Sequence, residues 1–172
     1  MNSVQMHLAL THVPVILSFI GLLMLLVAFF IKNTTVTKIS YILLVIAGVA
    51  ALPVFFTGEG TEEAIENIPG VSEAIIERHE EVAMMAMISI GVAGLLALAG
   101  LISFRFQVAA RVFKMFVLVM AITSGWLMAQ TAHLGGQIRH TEIRTGVAMQ
   151  NGNETGGDNE NNQNNKKDTD DD

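Results

Sequence analysis

Five histidines, His7, His12, His79, His133 and His140, are the residues of this 172-residue chain whose type and spacing could do chemistry. A neutral imidazole ligates haem, copper, iron or zinc through one ring nitrogen. The chain has no cysteine, which removes disulfides, thiolate zinc sites, cysteine-ligated iron–sulfur clusters, covalently attached c-type haem and cysteine nucleophiles together. Paired imidazoles from facing helices are the usual axial ligands of a noncovalent b-type haem in a membrane. Copper or iron held by histidine with methionine is the competitor, because Met6, Met84, Met85, Met87 and Met128 lie toward the histidine side and soft thioethers favour Cu(I). Methionine in a membrane helix is mostly gap-filling packing, which weighs against copper. The His79-Glu80-Glu81 run lacks the HExxH spacing of a zinc hydrolase. No Gly-rich phosphate loop, no Ser-His-Asp arrangement and no basic nucleic-acid surface can be read in the chain.

The elements that must position these imidazoles are hydrophobic helices. Of the residues, 51% are apolar and only 15% charged, and the mean hydropathy is +0.48, too apolar for an ordinary soluble domain of this size. Charge-free stretches occupy 13–31, 39–57, 82–104 and 115–134, each close to the roughly 20 residues that cross a hydrocarbon core. Four such stretches in succession leave no polar faces to coat a globule. The expectation is an all-α, four-helix, up-down-up-down membrane bundle over 1–149, with spans near 8–31, 38–57, 78–104 and 111–134. The first span has neither a basic leader nor an A-x-A-like cleavage site and is expected to remain in the mature chain.

Lys32 and Lys38 sit in the first connection, and Arg105, Arg111 and Lys114 in the third, with no acid in either. The positive-inside rule turns both toward the cytoplasm of a bacterial inner membrane, so both termini and the loop at 58–77 face the periplasm. Between Gly58 and Glu81 stand eight glutamates and one arginine, best read as a solvated face. Thr61 is expected to cap a short helix over 62–67, ended by Pro69-Gly70. Ser72 is expected to cap a second helix running into the third span. The net charge of −6 is concentrated in the tail, where residues 150–172 hold seven acids and two lysines in an Asn/Gly-rich sequence too polar to order itself.

With that topology all five histidines fall on one side of the membrane, where ionisable groups usually mark a path or a site. At 100° per residue, Ala83, Ala86, Ile90, Ala93 and Ala97 lie beneath His79, a small-residue stripe with room for a helix or a flat cofactor. Ile16, Phe19 and Leu23 share the face of His12, and Ala129, Trp126 and Ile122 that of His133. His12, His79 and His133, from three helices, are therefore the candidate cofactor ligands, with His7 and His140 as hydrogen-bonding or alternative ligands. Each histidine has a plainer reading as an interfacial residue bonded to a carbonyl or a lipid headgroup. Pro14 is expected in the first helical turn of the membrane region, Pro53 at a kink near the outer end of the second helix, and Gly91, Gly94 and Gly100 at helix contacts.

Several of these pieces together resemble a bacterial family of four-helix inner-membrane proteins described as a domain of unknown function. They are His7-x4-His12-Val13-Pro14 opening the first helix, Thr57-Gly58 leaving the second, His79 opening the third, and His133-Leu134-Gly135-Gly136 with His140 closing the fourth. The match spans residues 7 to 140. Val13 stands where the family tends to have an aromatic, and Glu59 where it tends to have an aspartate. The resemblance implies a respiratory or redox accessory protein with a cytochrome-type membrane partner, and hence haem. The residues point the same way, to an electron carrier with a b-type haem. They leave open a cofactor-free scaffold or accessory subunit and a periplasm-facing copper- or iron-handling protein.

Overall fold

The structure is a computed structural model that describes residues 3–65 and 71–139. Its order is α1 (Ser3–Ile31), α2 (Thr34–Ile65), α3 (Glu73–Ile102), a 3-10 turn (Ser103–Arg105) and α4 (Gln107–Arg139), with no strand among the described residues. All four α-helices are long and apolar enough to cross a membrane. At about 1.5 Å per residue even α1 reaches about 43 Å, beyond a hydrocarbon core of about 30 Å. α1 packs on α2, α2 on α3, α3 on α4, and α4 back on α1, which leaves α1 and α3 on one diagonal of the up-down-up-down bundle.

The α1–α2 connection is only Lys32 and Asn33. Lys32 takes a left-handed φ of 53°, the conformation that closes a helix, and Asn33 Oδ1 accepts from the Val36 N–H at 3.0 Å to open the next. Inside the bundle, small residues let backbones approach. A Cβ built on Gly48 would stand 3.2 Å from the Ile90 carbonyl, and one on Gly94 3.2 Å from the Leu44 carbonyl. Leu25, Tyr41, Leu44, Ile90 and Val117 fill the remaining core, and the Ser40 hydroxyl, wholly buried, donates to the Gly21 carbonyl at 2.8 Å. Large apolar side chains such as Phe30, Leu95 and Trp126 point outward, as lipid-facing residues do.

Several expectations change. α2 does not stop at 57 but continues through Ile65, and Thr61 is no cap: its hydroxyl donates back to the Thr57 carbonyl at 2.9 Å inside the helix. Gly58 and Gly60 each cost about 1 kcal/mol in a helix, less than the hydrogen bonds that a break would forfeit. Ser72 does precede α3, but its side chain makes no capping bond, and its carbonyl receives the N–H groups of Ile75 and Ile76 instead. Pro14 lies well inside α1, which begins at Ser3, rather than in a first turn. α4 runs straight through Gly135-Gly136 to Arg139. The faces holding Ile16, Phe19 and Leu23 and Ile122, Trp126 and Ala129 are exposed, not interior, whereas the stripe Ala86, Ile90, Ala93 and Ala97 is buried as expected. The proposed helix end at 66–67, the Pro69-Gly70 turn, His140 and the tail at 150–172 lie outside the described residues.

Candidate functional site

At the end of the bundle where α1 and α3 begin, two imidazoles are held alike. His7 reaches from α1 to α2, where its Nδ1–H donates to the Val54 carbonyl at 3.1 Å and stands 3.3 Å from Thr57 Oγ1. The Thr57 hydroxyl points between the Pro53 and Val54 carbonyls, at 2.9 and 3.0 Å, so its lone pairs face the ring. One turn beyond Val54, a Cβ added to Gly58 would lie 3.7 Å from His7 Cε1. His79 repeats the arrangement between α3 and α4, its Nδ1–H donating to the Thr131 carbonyl at 3.0 Å. One turn beyond Thr131, a Cβ added to Gly135 would lie only 3.2 Å from His79 Cε1 and 3.5 Å from Nδ1.

Each helical hairpin thus carries an imidazole on its first helix, an accepting carbonyl on its second, and a glycine four residues after that carbonyl. The glycines matter because a side chain there would crowd the ring away from the carbonyl. Since a carbonyl can only accept, both rings carry their proton on Nδ1 and present a bare Nε2. Neither Nε2 has a hydrogen-bond partner among the described residues. Both rings are half-buried, and their helices lie on one diagonal of the bundle.

The other candidates lie elsewhere on the surface of the same end. The His12 ring is exposed and its Nδ1–H turns back to the Leu8 carbonyl of its own helix at 3.0 Å. His133 is exposed too, and its Nε2 accepts from the Gln137 amide at 3.0 Å. Of the candidate ligands His12, His79 and His133, only His79 is held by a carbonyl of a neighbouring helix, and His7 is the other imidazole held that way. The reason is helical phase: burying Ser18 and Leu25 of α1, and Ser124 and Met128 of α4, turns His12 and His133 outward. Glu80 is near enough to His79 for their charges to interact, and exposed Arg78 and Glu81 pair at 3.4 Å.

Among the described residues no three His, Asp or Glu side chains come together as metal ligands. Of the candidate thioethers, Met6, Met84 and Met85 are exposed, Met87 is partly buried against the core and Met128 is in it. Two imidazoles are too few for a zinc or copper site built from protein ligands alone, whereas a haem takes only two axial ligands from the protein because its porphyrin supplies the other four nitrogens. Histidine spacing alone did not reveal the role of Thr57-Gly58 or Gly135. The available signal was that both glycines, like His7 and His79, belong to the motif pieces that span the chain. No protein-family model, curated protein or solved structure matches the chain, and the chemistry of the site rests on its own geometry.

Proposed function

We propose that this chain is a membrane electron-transfer accessory protein that binds a b-type haem through Nε2 of His7 and Nε2 of His79. The observation that carries this reading is that both imidazoles have Nδ1–H tied to a main-chain carbonyl and Nε2 free. That second bond fixes the tautomer and ring direction and raises the basicity of the ligating nitrogen, as in metal-binding histidines generally. Facing helices of a bundle are also where such sites are built. Haem, when bound, supplies reversible one-electron chemistry.

The chain does the positioning. The Val54 and Thr131 carbonyls aim the rings, Thr57 Oγ1 steadies His7, and Gly58 and Gly135 leave the space both rings occupy. Ala83 and Ala86 below His79 keep that wall low, and the apolar core limits water. The basic connections at the opposite end favour an inner membrane with the histidine end toward the periplasm, where a respiratory cytochrome-type partner would exchange electrons.

The test is an optical spectrum with metal quantification on protein purified after haem-replete expression. A Soret band, a reduced-minus-oxidised α band and stoichiometric iron are expected; a colourless, iron-free protein overturns the reading. Gly135→Ala is expected to push the His79 ring by a few tenths of an ångström, at about 1–2 kcal/mol, and to weaken haem retention about tenfold in a haem-transfer assay.

A second reading rests on the same bonds. Each histidine joins the two helices of a hairpin, and such a clip works without any ligand in a cofactor-free scaffold. It predicts a colourless, metal-free protein that co-purifies with a membrane complex.

A further inference from the structure

The opposite end of the bundle carries Lys32, Lys38, Arg105, Arg111 and Lys114, and no acid occurs in 1–58 or 82–139. The ion pair among the described residues, Arg78 with Glu81, is at the histidine end. Among the described residues, no carboxylate is paired with any of these cations. Three of them lie against aromatic rings: Lys38 Nζ is 5.1 Å from the centre of Phe104, the Arg105 guanidinium carbon 4.9 Å from that of Phe106, and Lys114 Nζ 5.7 Å from that of Phe29. Lys114 also donates to the Ala28 carbonyl at 2.9 Å, near the C-terminus of α1. Lys38 and Arg105 are exposed, and beside them Ile102, Phe106 and Val108 expose apolar surface.

We infer that the corner formed by Lys38, Arg105 and their phenylalanines binds the phosphodiester of an anionic phospholipid. The chemistry required is a singly charged phosphate with an acyl chain attached. The ammonium and guanidinium groups answer the phosphate, Arg105 with a fork that matches two of its oxygens. The exposed Ile102, Phe106 and Val108 answer the chain, and for that reason a lipid fits better than free phosphate. Basic residues at a membrane surface are attracted to anionic headgroups. This inference is independent of haem.

The experiment is a lipid titration of the full-length, detergent-solubilised protein followed by native mass spectrometry. Its arms are phosphatidylglycerol, phosphatidylcholine of the same chains, and inorganic phosphate as competitor. Phosphatidylglycerol is expected to bind about tenfold or more tightly than phosphatidylcholine, with an advantage that shrinks as salt rises. The Lys38→Gln, Arg105→Gln double variant should lose most of that advantage, and Arg78→Gln should keep it. Equal binding of the two lipids to the wild-type protein overturns the inference whether or not the variants fold. So does an advantage retained by the double variant, or full displacement of the lipid by millimolar phosphate, which would identify a free-anion site.

Discussion

His79→Ala is expected to yield protein without a Soret band, while His12→Ala and His133→Ala stay pigmented. The alanine removes Nε2, one of the two proposed axial donors, together with the bond from Nδ1 to the Thr131 carbonyl. That lost bond is worth about 1 kcal/mol, too little to unfold a four-helix bundle, so missing colour reports missing ligation. Exogenous imidazole supplies the ring without its tether and is expected to restore much of the band, which a misfolded variant would not permit. His12 and His133 give the contrast: both are exposed, one bonded to its own helix and the other to Gln137. Pigment that survives His79→Ala undiminished would contradict the assignment.

The largest expected effect on stability lies far from the histidines. A Cβ on Gly100 would be 2.6 Å from Tyr41 Cε2 and 3.3 Å from Phe113 Cβ. Tyr41 is fully buried, with the Phe104 ring centre 6.0 Å away, so its ring has little space into which to retreat. Gly100→Ala is expected to cost about 2–3 kcal/mol through overpacking, lowering Tm by about 5–10 °C in detergent. Gly91→Ala on the same helix is the control, because a Cβ there meets nothing within 4 Å. Equal Tm values for the two variants would show that α3 and α2 do not approach as described.

The helices were legible in the sequence because charge-free runs of nearly 20 residues have few alternatives to crossing a membrane. The buried side of α3 was also legible, since alanines at helical spacing mark close packing, and Ala86, Ala93 and Ala97 are indeed interior. Helix ends were not, because glycine in a long apolar helix looks the same whether it ends the helix or makes room for a neighbour. Gly58 and Gly135 both proved to be internal positions beside an imidazole. The rotation of α1 was misjudged for a related reason. In a membrane helix both the lipid side and the core side are apolar, so Ile16, Phe19 and Leu23, on the face of His12, gave no sign that they face outward. Small residues and hydroxyls such as Ser18 were the better guide to the interior face, and following them would have favoured His7 over His12.

The proposal turns on whether His7 and His79 share one haem iron. Electron paramagnetic resonance of the oxidised protein reads the axial ligands directly. The proposal predicts the low-spin ferric signal of two imidazole ligands, lost in both His7→Ala and His79→Ala and unchanged in His12→Ala and His133→Ala. A signal that persists without His7 or without His79, or no ferric haem signal in the wild-type protein, would contradict it.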